Sequence, residues 1–350
     1  MRGAGRSRGP ALGLIVRMFT ATSGRPDETK PEHAGPAWMS PVSTRAEFEA
    51  RLDIAAEIGA RGIEVTQAGQ PSGVRHLLES DRSRAMFSEA FASRGLEISA
   101  LNCAGMPLHP LRGPEHRRLI EDTFRLAELL GVEKIVTMSG TTGDGDGSST
   151  VNWVFYPWPE DSVALLERQW SEGIALWSEM ADLAERCGVR RIAFELHPIH
   201  LVYNVPTLLR MREAVGPMIG ANVDPSHLFW QQMDPVRVVE VLGEAVHHVQ
   251  LKDTEMVPEE LALAGVLDQR PFDDPSARAW RYRTIGRAHD AVFWGALVDA
   301  LAAAGYDGYV SIENEDPYQT YEEGVREAGR FLTPLLRGAG ARLLRGAEED

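Results

Sequence analysis

Five times in this chain a stretch rich in Ala, Leu and Glu runs into a glycine and then, within a few residues, into a short β-branched run. The segments are AAEIGARGIEVTQ, FASRGLEISALN, AELLGVEKIVTMSG, AERCGVRRIAFELHP and LAAAGYDGYVSIENED. Gly59, Gly95, Gly131, Gly188 and Gly305 are each expected to adopt the left-handed conformation that closes a helix before the chain enters a sheet. Helices that alternate with strands through such short links imply parallel strands joined by right-handed crossovers. With the weaker cases added, strands are predicted near 12 to 18, 62 to 67, 96 to 102, 132 to 138, 190 to 196, 219 to 224, 246 to 252 and 308 to 313. Eight such units are what a closed (β/α)8 barrel requires, and a doubly wound open sheet is the alternative. The long irregular stretches decide for the barrel. Residues 19 to 43, 139 to 161 and 253 to 290 all follow strands, so in a barrel all emerge on the C-terminal face, where active sites form. Thr44 to Glu47 read as a capping box opening the first helix. The organisation expected is an N-terminal tail over 1 to 11, one barrel over 12 to 338 and a C-terminal tail over 339 to 350.

A chain of 350 residues could hold two ordinary domains, but α/β barrels run to ~250 residues or more as one unit. Its 43% hydrophobic and 25% charged residues suit a protein with a substantial core. Fifty-one acidic against thirty-six basic residues leave a net charge of −15, which repels phosphate backbones and anionic lipid surfaces. Nucleic acid is thereby disfavoured as a partner. Cys103 and Cys187 are the only cysteines and lie far apart, so neither a disulfide framework nor a thiolate zinc site is indicated, and a cytoplasmic setting fits. The basic N-terminus has too short an apolar run for a signal peptide, and no stretch approaches the ~20 apolar residues that span a bilayer.

The polar tips of the last four predicted strands carry the chemistry. In Phe194-Glu195-Leu196-His197 the alternation puts Glu195 and His197 on one side. Asp224 ends the next strand, with His227 beyond a proline. His248, Gln250 and Lys252 share a face of the third, and Glu313 and Glu315 a side of the last. Carboxylates from three strands converging at one mouth repel one another unless a cation neutralises them. Glu195, Asp224 and Glu313, with the side-chain oxygen of Gln250, make an oxygen-rich shell suited to one Mn²⁺ or Mg²⁺ per chain. The bland readings are a core role for His248 and a structural ion pair of Lys252 with Glu313 or Asp253. Asn102 and His109 follow the third strand as candidate sugar contacts, His109 serving equally as a helix cap. Trp153 and Trp158, in NWVFYPWPE, offer aromatic surface for a sugar or phenolic ring, or simply pack their loop.

At FELHP, ANVDPSHLFW, HHVQLKDTE and VSIENEDP the chain resembles the xylose-isomerase-like TIM barrel superfamily of sugar isomerases and epimerases, from about residue 45 onward. The resemblance implies four metal ligands at strands five to eight, mapping onto Glu195, Asp224, Gln250 and Glu313. The usual third ligand is the histidine of a His-x-Lys-Asp motif, and this sequence has Gln250. Whether Gln250 ligates through oxygen, His248 substitutes, or the metal is weakly held stays open on the sequence. ALNCAGMPLHP, TMSG, NWVFYPWPE and LVYN are similar to the α subunits of bacterial C-glycoside deglycosidases. That likeness implies manganese, 3-oxo-C-glycoside substrates cleaved by β-elimination, and a small β subunit in a hetero-oligomer.

The chemistry expected is removal of a proton from carbon next to a carbonyl, with the metal stabilising the enediolate. His197 is the leading base, because it shares a strand face with Glu195 and titrates near neutrality. His227 and Lys252 are candidates for substrate orientation or acid catalysis, and Glu313 for a base. The rival readings are a ketose or sugar-phosphate isomerase or epimerase, a multi-metal phosphoesterase disfavoured by the acidic charge, and a metal-free sugar-binding subunit.

Overall fold

The computed structural model describes residues 9–17, 45–66 and 71–349. The predicted loop 19 to 43, Thr44 of the proposed capping box and the first eight residues lie outside them. Strands β1 (Ala11–Arg17), β2 (Gly62–Thr66), β3 (Glu97–Asn102), β4 (Lys134–Thr137), β5 (Arg191–Glu195), β6 (Ile219–Val223) and β7 (Val246–Leu251) follow the predicted positions to within two residues at each end. The short strands β8 (Asp253–Met256) and β9 (Trp280–Arg283) intervene before β10 (Tyr309–Ile312). The sheet closes in the order β1, β10, β7, β6, β5, β4, β3, β2, and every neighbouring pair in it is parallel. A closed parallel barrel of eight strands is therefore the fold, and the open-sheet alternative falls away.

Helices separate the strands: α1 (Arg45–Glu57), α2 (Pro71–Glu79), α3 (Asp81–Ala92), α4 (Gly113–Leu130), α5 (Glu160–Arg186), α6 (Val205–Val215), α7 (Pro225–Trp230) and α8 (Pro235–Leu242). After them come α9 (Pro258–Ala264), α10 (Ala291–Ala303) and α11 (Tyr321–Glu349). All five glycines of the repeated unit have positive φ, from 67° at Gly95 to 77° at Gly59 and Gly305. Each turns the chain out of a helix by a conformation that a side chain with a Cβ resists. Two expectations need revision. The stretch 253 to 290 is not irregular, because β8 and β9 pair antiparallel within it and α9 lies between them. The helix α11 runs through position 339 without a break, where the sequence suggests a tail.

Alternation sorts the strands into two cores. Ile63 and Val65 of β2, and Val249 and Leu251 of β7, join the apolar layer between sheet and helices. Glu64 bonds across the barrel to His248 and Gln250 of β7, a strand not adjacent to β2, so these three fill its interior. No described helix is long and apolar enough to cross a membrane.

Close packing makes one glycine of β6 a stability test. A Cβ at Gly220 would meet the His247 ring and come within 2.6 Å of the Ala245 carbonyl oxygen, which is backbone and yields only if the strand moves. Gly220→Ala is expected to cost about 1–3 kcal/mol, the usual penalty of overpacking. A urea unfolding curve should show a lower midpoint at unchanged slope.

Candidate active site

The strand tips meet at the C-terminal mouth. Glu195 is the last residue of β5, and His197 lies two residues on, its backbone N–H bonded to the Glu195 carbonyl at 2.8 Å. Asp224 caps the N-terminus of α7: its Oδ1 accepts from the Ser226 amide at 2.9 Å, which leaves Oδ2 aimed into the site. One turn into α7, His227 places Nε2 3.0 Å from Glu195 Oε1 and 3.3 Å from Asp224 Oδ2. Lys252, between β7 and β8, reaches Asp224 Oδ2 at 3.3 Å, Glu313 Oε2 at 2.8 Å and Glu315 Oε2 at 2.9 Å. The hairpin β8/β9 brings Tyr282 over the top, its ring centre 4.7 Å from the lysine nitrogen and its hydroxyl 3.4 Å from His227 Nδ1. Asp253, next to Lys252, holds this excursion closed. Its carboxylate accepts from the amides of Gly286, Ala288 and His289 and from the His289 ring.

Burial sets the protonation states. Burial pushes the Glu195 carboxyl up to about 7, with the neighbouring Asp224 charge adding to the rise and His197 opposing it. Glu313 is raised well above the usual range by burial, despite Lys252 beside it. Asp224 is also buried, yet Lys252 and His227 hold it below its ordinary value. Burial lowers His197 and His227 to about 4, so both rings are neutral near pH 7. Lys252 stays charged: burial works against it, but Asp224, Glu313 and Glu315 outweigh that and raise it. The result is one ammonium, neutral imidazoles, and carboxyls that differ in how readily they give up a proton.

Gln250 lies deeper. Its Nε2 donates to Glu64 Oε1 at 2.7 Å and its Oε1 accepts from Asn222 Nδ2 at 2.6 Å. The ionised Glu64 dictates this orientation, since the flipped carboxamide would set oxygen against oxygen. Glu64 also accepts from Asn102 Nδ2 at 2.7 Å and pairs with His248 Nε2 at 2.8 Å. Burial opposes its ionisation, and His248 with these hydrogen bonds nonetheless holds its carboxyl below the ordinary value. Sequence reading did not single out Glu64. A carboxylate in the middle of the apolar run GIEV, with no solvent on either side, was the available signal.

A cavity of about 810 Å³ opens over this centre. Asn102, Trp153, Glu195, His197, His227 and Lys252 are on its wall, as are Gln250, Glu313 and Tyr282. His109 and Trp158 are not on that wall. His109 Nδ1 accepts from the amides of Leu111 and Arg112 at 3.1 and 3.2 Å in the turn before α4, while Trp158 is 70% exposed. The hairpin and α7 supply aromatic wall that the sequence reading passed over, with Trp230 stacked on Trp280 at 4.8 Å.

A metal test divides the candidates. Of the oxygen-rich shell expected from sequence, Glu195, Asp224 and Glu313 are at the mouth, but Gln250 has both ends of its carboxamide engaged elsewhere and Glu313 is bound to Lys252. The described residues do contain a different possible metal site. Glu195, His197 and His227 each bring a ligand atom within 4.8 Å of the others.

Fold and centre together define a (β/α)8 barrel with a carboxylate, imidazole and lysine cluster at its C-terminal mouth. The sequence profile of the xylose isomerase-like TIM barrel family matches residues 52–335, and the chain belongs to that family. An uncharacterized protein of Bacillus subtilis strain 168, YfiH, is 39% identical over 297 residues, covering 83% of this chain and 95% of the relative. Among solved structures, an L-ribulose 3-epimerase aligns with a TM-score of 0.60 at 16% identity over 97% of each chain. The IOLI protein, solved with a bound zinc atom, aligns at 0.59 and 18% identity over 83% of this chain and 93% of its own. At these identities the likeness is one of fold.

Proposed function

We propose that the protein is a sugar-active acid–base enzyme that removes a proton from carbon next to a carbonyl. One observation carries this reading: Glu195, held near pKa 7, stands beside neutral His227 and a fixed ammonium, Lys252, on one cavity wall. A base whose pKa lies near the working pH combines availability with strength. Glu195 therefore displaces His197 as the leading base, because an imidazole lowered to about 4 is weak. In the step proposed, the C–H bond breaks, its proton passes to a Glu195 oxygen, and the electron pair moves onto the carbonyl oxygen to form an enediolate. Glu313, whose carboxyl burial raises well above the usual range, is placed to exchange a proton with the substrate. His227 donates from Nε2 to Glu195 and fixes its orientation.

Return of the proton to the other face gives epimerisation, transfer to the neighbouring carbon gives isomerisation, and expulsion of a β substituent gives cleavage. The epimerase among the fold relatives supports a sugar as substrate. The cavity favours the cleavage of a 3-oxo-C-glycoside, as in the C-glycoside deglycosidase α subunits the sequence resembles. Its volume of about 810 Å³ and its Trp153, Trp230 and Trp280 surface suit a flat aglycone beside the sugar ring. A second reading, favoured by the trio of Glu195, His197 and His227, places a divalent ion such as Mn²⁺ or Mg²⁺ there. When bound, such an ion supplies Lewis acidity toward a substrate oxygen.

Deuterium exchange tests the common step whatever the product. Free ketoses, 3-oxo-C-glycosides and 3-oxo-O-glycosides incubated with the protein in D2O should gain deuterium at the carbon next to the carbonyl, followed by NMR. The rate should rise with pH through about 7 as Glu195 ionises, and fall away below it. Release of a phenol from the glycosides identifies cleavage, and an altered free ketose identifies epimerisation or isomerisation. No exchange on any of these substrates removes the reading.

A further inference from the structure

Carboxylates from several strands that meet at one mouth need a positive charge among them, and here the chain provides one on its own side chain. Lys252 Nζ lies within 3.3 Å of Asp224, Glu313 and Glu315, which arrive from the ends of β6 and β10 on either side of β7. The lysine is 2% exposed, and the face of Tyr282 covers it from a further direction. Position 250 reinforces this arrangement. Its carboxamide is turned to Glu64 and Asn222, so Gln250 does not offer its oxygen to a competing cation.

We propose that Lys252 is the resident cation of this centre, occupying the place that a divalent metal would otherwise take among these carboxylates. An ammonium has three N–H donors: Lys252 donates to Glu313 at 2.8 Å and to Glu315 at 2.9 Å, and Asp224 Oδ2 pairs with its charge at 3.3 Å. A substrate oxygen can approach the ammonium by taking the place of one of these carboxylates. Glu313 is the one with room to withdraw, because its side chain is 25% exposed against 13% for Glu315 and 0% for Asp224. Exchange of Glu313 for the substrate carbonyl oxygen puts the ammonium against the oxygen that becomes negative when the proton leaves carbon. The same exchange frees Glu313 for proton transfer. The catalytic half of this inference rests on the acid–base reading above, whereas the claim about the cation stands on the geometry alone.

Elemental analysis and thermal melting of the full chain test the cation directly, without an activity. After dialysis against EDTA, and again after incubation with Mn²⁺ or Zn²⁺ and desalting, the protein is expected to hold far less than one metal per chain. Its melting temperature should not respond to either ion, since a ligand that binds only the native state raises it. Lys252→Met together with Gln250→His vacates the position and supplies an imidazole, and should take up one metal per chain with a higher melting temperature in its presence. In the exchange assay EDTA should leave the rate unchanged, and Lys252→Met should lower it by about 10²–10³, the usual loss when a group that stabilises an oxyanion is removed. One tightly held metal per chain in the unmodified protein overturns the assignment of Lys252, even if the double variant does not fold. Metal-free protein that exchanges no substrate proton leaves the cation in place and defeats the acid–base reading instead.

Discussion

Glu64→Ala is expected to destabilise the protein by about 3–5 kcal/mol, because it removes the one buried carboxylate on which three donors converge and leaves them unpaired. Glu64 is fully buried, and three partners converge on it: Asn102, Gln250 and His248. Each unpaired buried donor costs about 1–3 kcal/mol, and the hole left inside the barrel adds to that. A loss of this size is a large share of the ~5–15 kcal/mol that separates folded from unfolded domains. Glu64→Gln should be milder. Its oxygen can still accept from Asn102 and Gln250, and His248 can change tautomer so that Nε2 accepts from the new amide. Urea unfolding of the three proteins decides the matter. Equal stability of Glu64→Ala and the unmodified chain would mean that water replaces the carboxylate and that the network is not cooperative.

Glu195→Gln is expected to lower deuterium exchange by about 10²–10⁴, the contribution typical of a positioned general base. The substitution keeps the size of the side chain and an oxygen able to accept from His227 Nε2, which is 3.0 Å from Oε1. Folding should therefore be little affected, and the melting temperature serves as the control. The pH dependence gives a sharper readout than the rate. In the unmodified protein the rate should follow the ionisation of a carboxyl raised to about 7, and in the variant that inflection should vanish. Retention of both rate and inflection would assign the base to another group. His197 would be next in line, since its Nδ1 lies 2.6 Å from the Pro198 carbonyl oxygen and its Nε2 is then the free nitrogen.

The barrel was readable because its signals are local. A glycine that must turn left-handed at the end of a helix, and a β-branched run directly after it, are properties of a dozen neighbouring residues. The positions of Glu195, Asp224, Lys252 and Glu313 at one mouth then follow from strand alternation and the common direction of parallel strands. The hairpin β8/β9 was less legible, for its strands are separated by 23 residues and share only four paired positions. Nothing within either short run announces the partner.

Sequence by itself determined the closed barrel, the gathering of polar strand tips on its C-terminal face and the need for positive charge among those carboxylates. Only the tertiary structure decided that Lys252 lies among these carboxylates, that burial raises the Glu195 carboxyl, and that the Gln250 carboxamide is bonded to Glu64 and Asn222. The physical reason is that strand periodicity orders side chains along one segment, whereas protonation and hydrogen-bond allegiance depend on distances of about 3 Å between segments far apart in the chain.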